Sequence, residues 1–377
     1  MGRKINISLV GKQCMPVYVY IEYAKPDYVV LVHSRETKEE ATQIKEECGL
    51  PASLFEMQPV DYPNILNYAE ALLNQFTYDE VTINITGGTK LWSLAFAMLA
   101  NGKEHVSVVY VDQNNMIYDL KNNTKSPSQL SLSTKRIFLY NGQRNYRYTL
   151  LSDYTADDMN VLQKIASIPL SYYNDFTRLT VAKDKRWKNT LENATNPCLT
   201  LATGSSIDYD KANKKVEMVL YNKKSIPYSL TISSSHVRDI VFNAGWFEYQ
   251  VATRLAKWKS TKEIWLNVKF NYAQNSSVKN EVDIVVNVGD KLLFVECKTQ
   301  IFDNTDIDKF SAAVKNYGGM SSKALFIVRD KIRDITQQKC GDHGIMTFCL
   351  LGKNNKPRPD QELFDLLDSQ ILNINKR

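Results

Sequence analysis

Cysteine, glycine and proline are all scarce in this sequence. Its 377 residues include six cysteines, 15 glycines and 11 prolines, which excludes a collagen-like or low-complexity chain. The cysteines are scattered without any Cys-x-x-Cys pair, so the sequence predicts neither a zinc site nor a disulfide framework. No apolar run approaches the ~20 residues of a membrane span, and the first residues lead directly into a strand rather than a signal peptide. We therefore expect a cytoplasmic protein with no membrane partner.

Charge is unevenly distributed along the chain. Lysine and arginine number 47 against 41 aspartates and glutamates, a net charge of +6. Residues 1–130 carry −4, residues 131–230 carry +6 and residues 231–377 carry +4. The basic excess lies where a polyanion could bind, but it is too small to establish a nucleic-acid partner by itself. The 44% of hydrophobic residues and the length are typical of a globular chain of two or three domains.

Residues 1–125 alternate strand-like and helix-like segments. The predicted strands are Ile5–Val10, Tyr28–His33, Leu54–Val60, Val81–Ile85 and Val106–Tyr110. Continuous β-branched runs are typical of buried parallel strands, and repeated βα units indicate a Rossmann-like, doubly wound α/β domain. Ligands of such sheets bind at the carboxyl ends of the strands. Loops 11–14, 33–36 and 86–90 are therefore candidate ligand-binding segments.

Beyond residue 125 the βα pattern ends. Asn122–Ser128 is polar and linker-like, and residues 126–232 form a connecting module whose fold the sequence does not define. Residues 233–377 form a further domain, which begins with a run of serines that favours a helix N-terminus. A long helix is predicted there over His236–Lys259, and the order of elements from this helix onward is α-β-β-β-α-β.

A two-residue hairpin in the C-terminal domain carries the strongest chemical signal. Gly289-Asp290 separates two strand-like runs, and this turn places Asp283 opposite Glu296. Opposed Cβ atoms on one face lie ~4.5–5.5 Å apart, and the period-two alternation adds Lys298 to the same face. Adjacent carboxylates suit Mg²⁺ or Mn²⁺, and a neighbouring lysine can neutralise charge on a phosphate. The three residues predict a metal-dependent phosphodiesterase site.

A surface salt-bridge ladder is the alternative for these three residues. Two features favour the catalytic interpretation. Ile284–Val286 and Leu292–Val295 are apolar on both faces of the strands, where charged side chains are rare. The preceding helix adds Glu248 beside an apolar stripe, with Ala244 and Ala252 one turn away, so that Glu248 could reach the sheet. The alternative for Glu248 is a solvated glutamate at the helix edge.

Gly-Trp-Phe-Glu on a helix, followed by Asn-Glu-Val-Asp and Val-Glu-Cys-Lys on strands, resembles the PD-(D/E)XK nuclease core. The resemblance covers residues 235–352, and this superfamily has the αβββαβ order. It implies that Asp283 and Glu296 are metal ligands, that Lys298 is the catalytic lysine and that Glu248 is an accessory carboxylate.

The sequence departs from the family motif at one position. Val282 stands where the proline of the motif precedes the first aspartate. Glu281 lies opposite Lys298 in the predicted register and is either a further metal ligand or the ion-pair partner of Lys298. We favour the ion pair.

The segment Asn84-Ile-Thr-Gly-Gly-Thr-Lys90 is a second candidate site. A strand that ends in Thr-Gly-Gly-Thr and opens a helix places backbone N–H groups and hydroxyls at a helix N-terminus, which favours an anion. The segment is not a Walker A loop, and the first strand is not followed by Gly-x-Gly-x-x-Gly. The alternative is a glycine turn that merely connects strand to helix.

Asn84, Thr86 and Lys90 match the Asp/Asn-x-Ser/Thr-x-x-x-Arg/Lys motif, and residues 1–125 resemble the CARF domain of type III CRISPR defence proteins. The resemblance implies a homodimer that binds cyclic oligoadenylate, most often the tetra-adenylate. We expect the ligand pocket to be lined by the loop after the fourth strand, Thr86, Gly87, Gly88, Thr89 and Lys90. The loops after the first two strands are expected beside it, with Gly11, Lys12, Gln13, His33 and Ser34. We interpret His33 itself as a capped histidine at a strand end.

A CARF-like domain followed by a PD-(D/E)XK-like domain resembles the ancillary nucleases of type III CRISPR antiviral defence. This resemblance implies a homodimeric endonuclease, activated by cyclic tetra-adenylate and dependent on Mn²⁺ or Mg²⁺, that cleaves RNA, single-stranded DNA or duplex DNA. A ligand-responsive nucleic-acid-binding regulator with an inactive nuclease fold is the alternative. A CARF domain that also degrades its own activator is compatible with either. Tyr172, Tyr173 and Trp187 of the connecting module could stack on unpaired bases, but we interpret them as core.

Overall fold

The computed structural model describes residues 2–181, 185–272, 277–298, 304–319, 321–329, 331–352 and 356–372. These residues form two compact units. The first comprises Met1–Arg144 with two later segments, Asn287–Leu292 and Ala312–Lys323, and the second comprises the remainder. Within the described ranges, no helix combines the length and the apolarity that a membrane span needs.

The first unit is built from alternating strands and helices. In chain order they are β1 (Lys4–Leu9), α1 (Met15–Ala24), β2 (Tyr28–His33), α2 (Lys38–Glu47), β3 (Ala52–Glu56), α3 (Tyr62–Asn74), β4 (Glu80–Asn84), α4 (Lys90–Ala100), β5 (Val106–Val111), β6 (Met116–Asp119), β7 (Thr124–Pro127) and α5 (Thr134–Tyr140). A short 3₁₀ helix, Arg35–Thr37, precedes α2.

The sheet of the first unit has the order β3-β2-β1-β4-β5-β6-β7. Strands β1 to β5 pair in parallel, which confirms the predicted Rossmann-like α/β fold. The linker-like interpretation of 122–128 was wrong, because β6 and β7 continue the sheet as an antiparallel edge. Its core contains Ile7, Ile83, Trp92 and Phe96, all essentially inaccessible to solvent. The apolar strand positions therefore form the inside of this unit.

The rest of the chain also consists of helices and strands. In chain order they are β8 (Tyr146–Leu150), α6 (Ala156–Ala166), α7 (Tyr173–Thr180), α8 (Lys185–Asn193), β9 (Cys198–Thr200), β10 (Ser206–Asp210), β11 (Lys215–Tyr221), β12 (Pro227–Ser233), α9 (Val237–Val241), α10 (Gly245–Leu255), β13 (Glu263–Asn271), β14 (Val278–Asn287), β15 (Leu292–Lys298), α11 (Asn304–Gly318), β16 (Lys323–Val328), α12 (Asp334–Asp342), β17 (Ile345–Cys349) and α13 (Asp360–Ile371).

Two sheets organise these elements. The connecting module contributes an antiparallel sheet, β12-β11-β10-β9, that the sequence did not predict. The other sheet has the order β17-β16-β15-β14-β13-β8, and its helix-strand sequence confirms the αβββαβ order. Strand β8 comes from the connecting module and pairs antiparallel with β13, so the module supplies an edge of the six-stranded sheet.

The single long helix predicted over residues 236–259 was wrong. It is divided into α9 and α10 by a 3₁₀ segment, Phe242–Ala244, in which Asn243 and Ala244 adopt φ values of 55° and 67°. A Cβ atom on Gly245 would lie 1.6 Å from the carbonyl oxygen of Asp239, so only glycine permits this close approach. The break sets the direction of α10, which carries Glu248.

Candidate functional site

The β14–β15 hairpin closes as the sequence predicts. The N–H of Val288 donates to the carbonyl oxygen of Lys291 at 3.1 Å, which leaves Gly289 and Asp290 as the two turn residues. Gly289 has a φ of 110°, a region that favours glycine. The turn aligns the carboxylate-bearing ends of the two strands.

Asp283, Glu296 and Lys298 form one patch on these strands. The backbone N–H of Cys297 donates to Asp283 Oδ2 at 2.7 Å, which holds the aspartate against β15. Lys298 Nζ lies 2.8 Å from Glu296 Oε1. All three side chains are half-buried between apolar neighbours. They therefore belong to a recess rather than to a solvated ladder.

Glu248 of α10 is an electrostatic neighbour of the same patch. Its pKa is raised to about 8, first by burial and then by the charges of Glu281 and Glu296. Burial also raises the pKa of Asp283 well above its usual range, with further contributions from Glu296 and Glu248. Several carboxylates thus share a volume in which their ionised forms repel one another.

Lys298 moderates this repulsion without removing it. Burial alone would lower the pKa of its ammonium group, but the nearby charges of Glu296 and Asp283 outweigh burial and raise the pKa. Burial is the largest contribution to the raised pKa of Glu296; Lys298 lowers this pKa, and the charges of Asp306 and Glu281 raise it further. The lysine therefore stays protonated while the carboxylates still lack sufficient positive charge.

The predicted ion pair between Glu281 and Lys298 was wrong. Glu281 Oε1 lies 3.0 Å from Lys269 Nζ on the neighbouring strand β13, while Lys298 pairs with Glu296 two residues earlier on its own strand. Sequence reasoning missed Lys269. Asn267, Lys269 and Asn271 alternate with apolar residues along β13. This alternation was the signal in the sequence that Lys269 lies on the half-exposed face of the strand.

The donor set fits a hard divalent cation. Asp283 and Glu296 supply carboxylate oxygens, the ligands that Mg²⁺ and Mn²⁺ favour, and their raised pKa values show that added positive charge would be stabilising. Across the described ranges, no group of three or more His, Cys, Asp or Glu side chains is arranged as a metal cluster.

In the first unit, the loops after β1 and β4 come together. A Cβ atom on Gly87 would lie 2.1 Å from the carbonyl oxygen of Leu9, and one on Gly11 would lie 3.2 Å from the backbone nitrogen of Gly88. Gly88 has a φ of 73°. These glycines let two backbone segments meet at the carboxyl edge of the sheet.

The predicted polar ligands of this edge are largely committed to its own backbone. Asn84 Oδ1 accepts hydrogen bonds from the N–H and hydroxyl of Thr86, at 3.1 and 2.7 Å, and Thr86 Oγ1 accepts one from Val111 N–H at 2.7 Å. Thr89 caps α4 by accepting from Trp92 N–H at 3.2 Å. The loop is therefore held in shape by its side chains.

The other residues predicted at this edge differ in whether their side chains are already paired inside the protein or are exposed. Lys12 pairs with Glu40 at 2.7 Å, and His33 is buried with Nδ1 2.9 Å from the carbonyl oxygen of Ser34, as expected for a capped histidine. Ser34 is buried in a capping box with Thr37. Lys90 and Gln13 are exposed, and within the described part of the chain Lys90 forms no ion pair.

Two family models match the chain. Residues 5–140 match the Card1 CARF domain, and residues 236–365 match the Card1-like endonuclease domain. Together the two ranges cover more than half of the chain. A comparison with curated proteins gives no match.

Several solved structures share the fold over 98% of this chain. Can2 from Sulfobacillus thermosulfidooxidans in complex with cyclic tetra-adenylate is 21% identical, with a TM-score of 0.68 and 99% of that chain covered. Protein VC1899 from Vibrio cholerae is 15% identical, with a TM-score of 0.69 and 97% covered. A type III CRISPR defence DNA nuclease activated by cyclic oligoadenylate is 14% identical, with a TM-score of 0.56 and 52% covered.

These matches assign both halves of the molecule. The loops after β1 and β4 lie in the range that matches the CARF model, and the hairpin with Glu248 lies in the range that matches the endonuclease model. The chain therefore belongs to the family of proteins that join a Card1-type CARF domain to a Card1-like endonuclease domain.

Proposed function

We propose that this chain is a metal-dependent endonuclease of type III CRISPR defence that cyclic oligoadenylate activates. The observation that carries the proposal is the patch of Asp283, Glu296 and Lys298, half-buried beside Glu248 inside the endonuclease match. A binding-only domain would gain nothing from carboxylates that raise one another's pKa.

Asp283 and Glu296 would hold the cation. Once bound, a divalent cation supplies polarisation of the phosphodiester and a water of lowered pKa. The N–H of Cys297 fixes the Asp283 carboxylate, so one ligand is oriented before any cation arrives. Mn²⁺ and Mg²⁺ both suit this oxygen donor set.

Lys298 acts as a cation rather than as a base. Glu296 and Asp283 keep its ammonium group protonated, and a protonated lysine can stabilise negative charge that develops on the phosphate. Glu248, with a pKa of about 8, carries a proton over much of the neutral range and is suited to hold or release one beside the reacting groups.

The carboxyl edge of the first unit is the proposed site of cyclic tetra-adenylate. Support comes from the CARF match, from the cyclic tetra-adenylate in the Can2 complex and from the anion-favouring backbone of Gly87-Gly88 at the start of α4. Lys90 is exposed there and forms no ion pair with another residue of the described ranges, so its ammonium group can contact a phosphate. Homodimerisation is proposed as well, because α4 exposes Leu94 and Met98 to solvent.

Cleavage of labelled single-stranded RNA, single-stranded DNA and supercoiled plasmid tests the proposal. Each substrate is incubated with Mn²⁺ or Mg²⁺, with and without cyclic tetra-adenylate or cyclic hexa-adenylate. Glu296→Gln should abolish cutting, whereas Glu281→Gln, a carboxylate variant outside the patch, should not. Lys90→Gln should weaken ligand binding, whereas the exposed Lys38→Gln should leave it unchanged.

The outcomes distinguish an activated nuclease from a nucleic-acid-binding regulator with an inactive nuclease fold. Cutting that needs both a metal and one cyclic ligand, and that vanishes in Glu296→Gln, supports the switched nuclease and identifies its substrate. Tight ligand binding with every substrate intact would instead support the nucleic-acid-binding regulator.

A further inference from the structure

A cavity of about 280 Å³ lies in the second unit, apart from the carboxylate patch. That volume lies near the lower end of the ~300–1,000 Å³ range of small-molecule sites, which suits one planar ring system but not a duplex. Its lining is mostly apolar and comes from α6, the segment between α6 and α7, the first residue of α7, α10 and the segments that follow β16 and β17. Tyr173, Trp246, Gln250, Arg254 and Arg329 supply the aromatic and polar part.

Arg329 is the unusual member of this lining. Its guanidinium carbon lies 4.6 Å from the ring centroid of Tyr173 and 5.7 Å from that of Trp246. The two rings meet edge to face, with centroids 6.0 Å apart. Among the residues that the structure describes, no carboxylate pairs with Arg329. A cation–π arrangement therefore holds a planar cation without neutralising it.

The other arginine of the lining provides a contrast. Arg254 donates to Asp360 Oδ1 at 2.6 Å and to the carbonyl oxygen of Arg358 at 2.8 Å, so its hydrogen bonds are used inside the protein. Gln250, like Arg329, has a side chain with no hydrogen bond to another described residue. The cavity thus combines two stacking surfaces with one amide and one guanidinium that can contact a ligand.

The cavity also adjoins the candidate active site along the chain. The N–H of Arg329 donates to the carbonyl oxygen of Lys298 at 3.2 Å. Trp246 and Gln250 lie two residues before and after Glu248 on α10. Whatever enters the cavity is therefore held by the helix that carries Glu248 and by Arg329, whose backbone is hydrogen-bonded to that of Lys298 on the neighbouring strand.

We propose that this cavity binds one unstacked nucleobase of the strand that is cut. The inference rests on the proposed nuclease function and specifies how its substrate is held. Arginine planes and aromatic rings are the surfaces on which proteins stack single bases, and glutamine reads base edges through its amide. A phosphate would need more free donors than the apolar lining offers.

A fluorescent base analogue provides a readout that does not depend on cutting. 2-Aminopurine is placed at successive positions of short single-stranded RNA and DNA oligonucleotides, which are bound to the full chain with cyclic tetra-adenylate and a chelator. We expect the fluorescence to change at one or two adjacent positions. Arg329→Gln should remove that signal and weaken binding about tenfold.

Two variants make the test specific. Arg333→Gln removes the same charge from an exposed residue outside the cavity, so it should keep the positional signal. Ala166→Phe fills the cavity mouth without deleting any contact and should abolish the signal, while an unchanged melting temperature shows that the variant is folded.

The base pocket and the nuclease can fail separately. A positional signal without any metal-dependent cutting would retain the pocket and overturn the nuclease. Cutting without a positional signal, or an Ala166→Phe variant that binds like the natural chain, would overturn the pocket. Equal losses in Arg329→Gln and Arg333→Gln would also overturn it, because they would indicate general attraction to phosphate.

Discussion

Asp158 and Asp283 lie in the same unit, and burial acts on both in the same direction, yet their pKa values move apart. Burial raises the pKa of Asp158, but hydrogen bonds to its carboxylate from Thr155 and His236 outweigh burial and lower it to about 2. Burial also raises the pKa of Asp283, and there Glu296 and Glu248 raise it further. The partners, not the burial, decide the sign.

This difference separates a carboxylate with a structural role from the carboxylate that we propose as a metal ligand. Asp158 accepts from the N–H of Thr155 at 2.7 Å and from the N–H of His236 at 3.2 Å, so it ties the start of α6 to the start of α9. The one backbone donor to Asp283 is countered by two neighbouring carboxylates. Asp158 is complete without a ligand, whereas Asp283 is stabilised by any cation that arrives.

The largest expected effect is the loss of cutting in Asp283→Asn. An amide is a poor metal ligand, and we expect the rate of cleavage to fall by roughly 10³-fold or more. Thermal stability should stay level or rise, because the substitution removes a charge that the folded state disfavours. Cleavage assays and melting curves on one preparation measure both. A variant that melts much earlier would contradict the comparison.

Lys298→Met should lower the rate of cutting by roughly 10²-fold, since it removes a positioned cation from the phosphate site. Lys298→Arg should recover part of that loss. The raised pKa of Lys298 also predicts how the rate depends on pH. Because the lysine stays protonated above the pH at which a free lysine loses its proton, cutting should not decline between pH 8 and 10 through loss of this charge. A decline removed by Lys298→Arg would contradict that assignment.

The active-site hairpin could be predicted because its determinants are local. Gly289-Asp290 fixes the turn, and the period-two alternation then decides which side chains share a face. The prediction of an anion-favouring turn after β4 also depended on residues adjacent in sequence, the Thr-Gly-Gly-Thr segment. Local glycines and alternation thus sufficed to place the hairpin turn and the glycine loop, whereas the roles of their residues stay predictions.

The missed features depend on contacts between segments far apart in the chain. Lys269 reaches Glu281 only once β13 lies beside β14, and β8 joins the sheet from more than 100 residues away. The break before α10 depends on Gly245 meeting the carbonyl oxygen of Asp239, which no helix periodicity reveals. Propensity and alternation carry no information about such pairings.

Asp158→Asn should act on stability rather than on chemistry. The folded pKa of about 2 lies below the usual 3.8, so ionised Asp158 stabilises the fold above pH 4, by about 2 kcal/mol, and this contribution is lost as the pH falls through 2. Denaturant unfolding of both proteins at pH 7 and at pH 3 measures it. The difference should shrink at pH 3, and a constant difference would refute the assignment.

Glu281→Gln is expected to have the smallest effect, although Glu281 precedes Asp283 by only two residues on β14. Its ion pair with Lys269 joins side chains that are 46% and 31% exposed, and such pairs contribute at most about 1 kcal/mol. Cutting should stay close to that of the natural chain. The pKa of Glu248 should fall, because after burial the charge of Glu281 is its largest cause, and carboxyl-carbon NMR of the metal-free protein can follow it. If Glu281→Gln instead lost cutting as Asp283→Asn does, Glu281 would be a metal ligand, and its interpretation as the ion-pair partner of Lys269 would be incomplete.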